Sequence, residues 1–132
     1  MQNIVARYGA TGVLVDDNSD TSYSVVLAVP GLDRIFLHCP GANDTFSNAD
    51  IPDEMLEGAS IFHLGYPTLM KKLYENDGAE LITLLRRVKA KGIATSLDMT
   101  TMEPNSEAGQ ADWVKILSAA LPYTDFFLPS AE

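Results

Sequence analysis

Ser60-Ile61-Phe62-His63-Leu64-Gly65-Tyr66-Pro67-Thr68 is the stretch on which the reading of the chain turns. Its first five residues are mainly apolar without clean alternation, the pattern of a parallel strand covered on both sides by helices. Gly65-Tyr66-Pro67-Thr68 ends that strand and opens a helix. Leu69, Met70, Leu73 and Tyr74 share one helical face until Glu75-Asn76-Asp77-Gly78 interrupts it. A second helix then starts, with Asp77 and Glu80 at the spacing of an acidic capping box. Leu81, Leu84, Leu85 and Val88 form its apolar stripe, and Gly92 suits the position after its last turn. Arg86, Arg87, Lys89 and Lys91 gather at the negative end of its dipole.

Working outward, the same alternation continues toward the C-terminus. Ile93 to Met99 reads as a second buried strand, Thr100 to Gln110 as a loop, and Trp113, Ile116, Leu117, Ala120 and Leu121 fall at helical spacing. Pro122 ends that helix, and Asp125 to Pro129 is a third short apolar strand. The order β, α, β, α, β predicts an α/β fold with a parallel sheet and right-handed crossovers.

Toward the N-terminus the grammar changes. Thr21 to Val29 is rich in β-branched and aromatic residues, Pro30-Gly31-Leu32-Asp33 supplies a turn, and Arg34 to Cys39 continues extended. This predicts a hairpin with a four-residue loop. Pro40 to Asn48 turns to Gly, Asn, Asp and Ser and marks a change of layer. Asp50 is the expected N-cap of a short helix with Pro52 in its first turn, Asp53 and Glu54 on its dipole, and Gly58 closing it. Met1 to Tyr8 puts Ile4, Val5 and Tyr8 on one side with no capping residue before them, and reads as the tail of a longer helix.

Composition limits what such a fold does. The 132 residues carry 18 acidic against 9 basic side chains, a formal net charge of -9, and 46% of them are hydrophobic. Nucleic-acid binding runs on Lys and Arg displacing condensed counterions, so a nucleic-acid partner is not expected. An anionic membrane surface is disfavoured for the same reason. The longest apolar run, Val25 to Val29, is far short of the ~20 residues that span a bilayer. The first residues lack the basic head and apolar stretch of a secretory signal, and Cys39 is the lone cysteine, so a cytoplasmic setting is expected.

In open parallel sheets, ligands bind beyond the carboxyl ends of the strands. Three polar groups fall there: Gly65, Tyr66 and Thr68 after the first strand, Asp98, Thr100 and Thr101 after the second, and Ser130 and Glu132 after the third. Each has a plainer reading beside the functional one. Gly65 serves as a turn residue, Asp98 as a loop cap, and Ser130 and Glu132 as solvent-facing residues. His38, Cys39 and His63 lack the close-paired spacing of metal ligands, so no metal site is expected, and His63 reads as a hydrogen-bonded core residue. No phosphate-cradling glycine signature of the Walker or dinucleotide type occurs.

Taken in order, Thr21-Ser22-Tyr23-Ser24, Arg34-Ile35-Phe36-Leu37-His38, Pro40-Gly41-Ala42-Asn43, Gly65-Tyr66-Pro67, Ser96-Leu97-Asp98 and Phe127-Leu128-Pro129-Ser130-Ala131-Glu132 resemble the middle of a PfkB (ribokinase-like) carbohydrate kinase. The resemblance implies part of a Rossmann-type three-layer α/β/α core with a small β-strand lid. Residues 1–48 would be a helix end plus lid strands and residues 49–132 part of the parallel core, together part of one domain.

It implies an ATP-dependent kinase that transfers the γ-phosphate to a sugar hydroxyl, with ATP and Mg2+ as cofactors and a homodimer formed through the lid. Asn43, Gly65, Tyr66 and His38 fall on the substrate side, and Ser130 and Asp98 on the nucleotide and phosphate side. Gly65 stands where the family often has glutamate, and Ser130 where it has asparagine.

The family's Gly-Ala-Gly-Asp segment, with the anion hole and catalytic base, lies beyond Glu132, and its glycine-rich sugar signature lies before the lid. The 132 residues by themselves are therefore expected to be inactive. A non-catalytic module that binds a sugar or another small molecule is the competing reading, and a purely interactive role for exposed strand edges a third.

Overall fold

The structure, a computed structural model, describes Arg7 and residues 13–130. Apart from Arg7, the expected first helix over Met1 to Tyr8 lies outside those residues, as does the expected site position Glu132. Among the described residues, five strands form two sheets. Strands β1 (Tyr23–Leu27) and β2 (Ile35–Cys39) pair antiparallel, while β3 (Ile61–Gly65), β4 (Ala94–Met99) and β5 (Phe126–Pro129) form a parallel sheet in the order β3-β4-β5. Helices α1 (Lys71–Ala90), α2 (Glu107–Gln110) and α3 (Trp113–Ala120) connect the parallel strands.

The hairpin forms where β-branched and aromatic residues predict it, but its connection is longer than four residues. Pairing stops at Leu27 opposite Ile35, so residues 28–34 join the strands. The turn closed by Leu32 N–H on the Val29 carbonyl sits inside that connection. Pro30 lacks the N–H that would carry the ladder further.

The parallel sheet has one dry face. Leu64, Leu97 and Phe127 stand in register and pack on α1 and α3. Leu73, Leu81, Leu84, Leu85 and Val88 of α1 are fully buried there, each contributing about 1.5–3 kcal/mol of hydrophobic stabilisation. The other face carries Ile61, Phe126 and Leu128, all more than half exposed. The expectation of a strand covered on both sides is thus corrected: among the described residues, helices cover one face only. His63, on the open face, is exposed rather than a core residue, although its Nδ1 does bond Ser96 Oγ at 3.1 Å.

The expected interruption of α1 takes a defined shape. Glu75 leaves helical geometry, and Asn76, Asp77 and Gly78 all adopt left-handed backbone, with φ of 51°, 58° and 73°. The capping box expected of Asp77 and Glu80 does not form. Asp77 instead pairs with Lys115 of α3 at 2.7 Å, and Glu80 accepts from the Asn48 N–H at 2.9 Å. A left-handed residue cannot supply N-cap geometry, and each carboxylate meets a donor from another element.

Asp50 is likewise not the N-cap of the following turn. It accepts from the Ser47 N–H at 2.7 Å and closes a capping box on the 3-10 turn Asn48–Asp50, while Pro52 precedes a separate 3-10 turn, Asp53–Leu56. The stretch expected to be all loop, Thr100 to Gln110, contains α2, capped by Ser106 Oγ accepting from the Gly109 N–H at 3.0 Å.

The basic end of α1 ties the layers together through ion pairs. Arg87 and Lys91 reach Asp53, and Lys89 reaches Asp125. Asp125, the residue before β5, also accepts from the Thr95 N–H at 2.9 Å, and Lys89 and this N–H hold its carboxyl below the usual range. Thr95 itself is fully buried, with Oγ1 donating to the Tyr123 carbonyl at 2.6 Å.

Candidate functional site

The carboxyl ends of β3, β4 and β5 are laced into one edge. Gly65 stands opposite Asp98, and the Tyr66 N–H donates to the Asp98 carbonyl at 3.1 Å. Ser130 gives both its N–H and its hydroxyl to the Met99 carbonyl, at 3.2 and 3.0 Å. Tyr66 sits at φ 55°, ψ 58°, a left-handed geometry rare for an aromatic residue and of the kind that collects at ligand sites. It turns the chain sharply into the 3-10 turn Pro67–Leu69, which the Leu69 N–H closes on the Tyr66 carbonyl at 2.9 Å.

Beneath β2 this edge opens into a cavity of about 440 Å³ whose polar lining includes His38, Asp44, Thr68, Tyr74, Thr101 and Ser106. His38 comes from the hairpin, where Ser24 Oγ lies 2.8 Å from its Nδ1 across the strand pair. That contact engages Nδ1 and leaves Nε2 as the nitrogen for a ligand. Asp44 reaches the first turn of α1 by accepting from the Lys71 N–H at 3.3 Å. Tyr74 tilts against Trp113, with ring centroids 6.1 Å apart. Its phenol is pushed up by burial and by the nearby Asp44 and Glu107 carboxylates, so it stays a protonated donor. Lys71 bonds Glu107 at 2.6 Å, which holds the ammonium above its ordinary value.

The residues expected from sequence are distributed unevenly around this space. His38, Thr68 and Thr101 line the cavity together. Asn43 lines a different one of about 540 Å³, among Asp16, Asn18, Thr45 and Asp50. There its Nδ2 donates to Ser22 Oγ at 3.1 Å, tying the entry of β1 to the segment that follows β2. Gly65, Tyr66, Asp98 and Ser130 belong to the sheet edge and line neither cavity.

Asp44, Tyr74 and Ser106 went unnoticed in sequence because each has a structural reading: a loop residue, a member of an apolar helix face and a helix cap. The only signal for Asp44 is its place directly after Pro40-Gly41-Ala42-Asn43.

The lining is rich in hydroxyls and carboxylates and contains neither Lys nor Arg, chemistry that suits a neutral, hydroxylated ligand and opposes a phosphate. At the sheet edge, Ser130 spends both its donors on Met99, so the residues present there do not fit a nucleotide phosphate. Among the described residues no group of three His, Cys, Asp or Glu side chains is arranged to hold a metal ion, and no helix is long and apolar enough to cross a membrane.

No protein-family model matches the chain. Among solved structures it is similar to fructokinase from Xylella fastidiosa, with a TM-score of 0.71 and 22% identity over 95% of this chain and 40% of that one. The same figures, with 39% of that chain covered, describe its likeness to that fructokinase with bound ATP. Ribokinase from Giardia lamblia aligns at a TM-score of 0.61 and 19% identity, over 97% of this chain and 36% of that one. The likeness shows the fold: the chain has a partial ribokinase-like α/β architecture, and it spans about two-fifths of the length of the kinases it resembles.

Proposed function

We propose that this chain is part of an ATP-dependent sugar kinase of the PfkB (ribokinase-like) type, and that its own share of the work is to hold the sugar between the β hairpin and the carboxyl edge of the parallel sheet. The observation that carries this reading is the hydroxyl-lined cavity bounded by His38 of the hairpin on one side and Thr68 and Thr101 of the strand ends on the other. Cavities of this size, with a few convergent polar groups, hold small ligands.

Asn43, Gly65, Tyr66 and His38 are the residues we assign to the sugar side, Asn43 by fixing the hairpin and the others by proximity to the strand ends. Asp98 and Ser130 are assigned by their place at the strand ends to the side facing the phosphates, but with both Ser130 donors engaged on Met99 the contacts to ATP and Mg2+, like the base, are left to other segments of a longer protein, in the cytoplasm. No Gly-Ala-Gly-Asp segment occurs among the 132 residues, so these residues alone bind without turnover.

Calorimetry with a panel of hexoses and pentoses, with and without ATP and Mg2+, tests this together with a coupled assay for ADP. Heat of sugar binding without ADP production is the expected result. ADP formed in proportion to added sugar, by protein free of contaminating kinase, would contradict the assignment of catalysis to other segments. Absence of binding to any sugar would remove the reading altogether. A non-catalytic sugar-binding module is favoured by the engagement of both Ser130 donors, and sugar binding in a full-length protein that never responds to nucleotide would support it.

The opposite face of the hairpin, Tyr23, Val25, Leu27, Ile35 and Leu37, is 44–59% exposed, and we assign it to a second copy of the chain. Sedimentation at several concentrations is expected to show a dimer that Leu37→Asp abolishes. A concentration-independent monomer overturns this assignment.

A further inference from the structure

We propose that the Thr68 hydroxyl is a ligand-contacting group, the buried anchor that recognises one hydroxyl of an unphosphorylated sugar in the cavity beneath the hairpin. This rests on the sugar-binding reading above and adds to it a residue and a selectivity.

Thr68 is 2% exposed, yet its Oγ1 has no hydrogen-bond partner among the described residues. Buried polar atoms are paired in the great majority of cases, because an unpaired one forfeits about 1–3 kcal/mol of hydration. Thr95 provides the internal comparison, since it is equally buried and its hydroxyl is bonded to Tyr123. Two other buried atoms among the described residues are unpaired, Asn48 Oδ1 and Arg87 Nε, and neither residue lines this cavity. The Arg87 guanidinium satisfies its other nitrogens on Asp53 and on the Asn48 and Ile51 carbonyls. Thr68 is therefore the one residue of this cavity's lining that carries a buried, unpaired polar atom among the described residues.

Its position is also rigid. It lies in the 3-10 turn Pro67–Leu69, entered from the left-handed Tyr66 and closed by the Leu69 and Met70 N–H groups. A group held this way satisfies a ligand hydroxyl without first losing its own freedom. A threonine hydroxyl both donates and accepts, which matches an alcohol. The absence of Lys and Arg from the lining, with Asp44 and Glu107 present, selects against a sugar phosphate.

The test compares the protein with Thr68→Val, which keeps the shape and removes the hydroxyl, and Thr68→Ser, which keeps the hydroxyl. Calorimetry uses whichever panel sugar the unaltered chain binds, its deoxy analogues and its phosphate ester. Thr68→Val is expected to weaken sugar binding about tenfold or more, and Thr68→Ser by less than about threefold. One deoxy analogue should bind poorly to the unaltered protein but no worse than the parent sugar to Thr68→Val. The phosphate ester should bind more weakly than the sugar.

Thermal melts give the second readout. Thr68→Val should melt no lower than the parent, whereas Thr95→Val, which breaks a made bond, should melt lower. Equal sugar affinity for the parent and Thr68→Val overturns the inference while leaving the sugar site standing, as does a Thr68→Val melting loss as large as that of Thr95→Val. If the unaltered chain binds no sugar, the sugar-site reading has failed and the anchor falls with it.

Discussion

Gly78→Ala is expected to destabilise the protein by about 2–5 kcal/mol, combining the cost of left-handed backbone for an L-residue with that of overpacking a closed core. Gly78 has φ 73°, and a Cβ there would lie 2.6 Å from Ile116 Cγ2 and 3.2 Å from Ile116 Cγ1. Ile116 is 1% exposed and β-branched, so the methyl has nowhere to turn. The contact joins α1 to α3, the two helices that cover the parallel sheet. Against a typical domain stability of about 5–15 kcal/mol, the loss is a large share.

Urea unfolding reads it as a lower midpoint at unchanged slope. Gly92→Ala is the control: φ there is 77° but open space surrounds the site, so only the backbone cost of about 1–2 kcal/mol applies. Equal losses at the two positions would mean that the α1–α3 contact yields freely and the core is not closed at Ile116.

Gly41→Ala is expected to free the hairpin from the core while leaving the parallel sheet folded. A Cβ at Gly41, where φ is 50°, would lie 2.3 Å from the Asp20 carbonyl oxygen, 2.9 Å from the Ser22 nitrogen and 3.0 Å from the Thr21 carbonyl carbon. These are backbone atoms, so relief requires moving the chain that enters β1. The movement would break the bond from the Ala42 N–H to the Asp20 carbonyl, 2.8 Å, and that from Asn43 to Ser22.

A local cost of about 3 kcal/mol corresponds to roughly 100-fold faster amide exchange in the hairpin. Amides of Tyr23–Leu27 and Ile35–Cys39 should lose protection to that extent, and those of β4 and the second half of α1 should keep theirs. Unchanged exchange in the hairpin would show that the close approach at Gly41 is not what fastens it.

The parts of this fold legible in sequence are those written by period and punctuation. The stripe Leu81, Leu84, Leu85 and Val88 has one solution, a helix face against a sheet, and the three apolar runs between helices have one arrangement, a parallel ladder. What a local pattern cannot report is which faces receive a covering layer. Ile61, Phe126 and Leu128 look like buried strand residues because apolar side chains on both faces read the same whether or not a helix arrives from elsewhere in the chain.

Capping follows the same logic. Asp77 and Glu80 have the right chemistry and spacing, but each carboxylate goes to a partner that tertiary structure brings close, while Asp50 caps the turn before it, as the third residue of a local capping box, and not the turn after it. For the candidate site, sequence pointed to the carboxyl edge of the sheet and to the hairpin, and His38, Thr68 and Thr101 from these segments do line one cavity. It did not supply the cavity, because Thr68 becomes informative only once its hydroxyl is found buried and unpaired.

The open face of the parallel sheet also governs colloidal behaviour. Copies of the chain carry a net charge of -9 each, and that mutual repulsion opposes contact between the patches of Ile61, Phe126 and Leu128. Screening shortens the reach of the repulsion from about 10 Å at 0.1 M salt to about 3 Å at 1 M, while the attraction between greasy surfaces persists. Ionic strength is thus the variable that decides whether these molecules stay dispersed or coalesce.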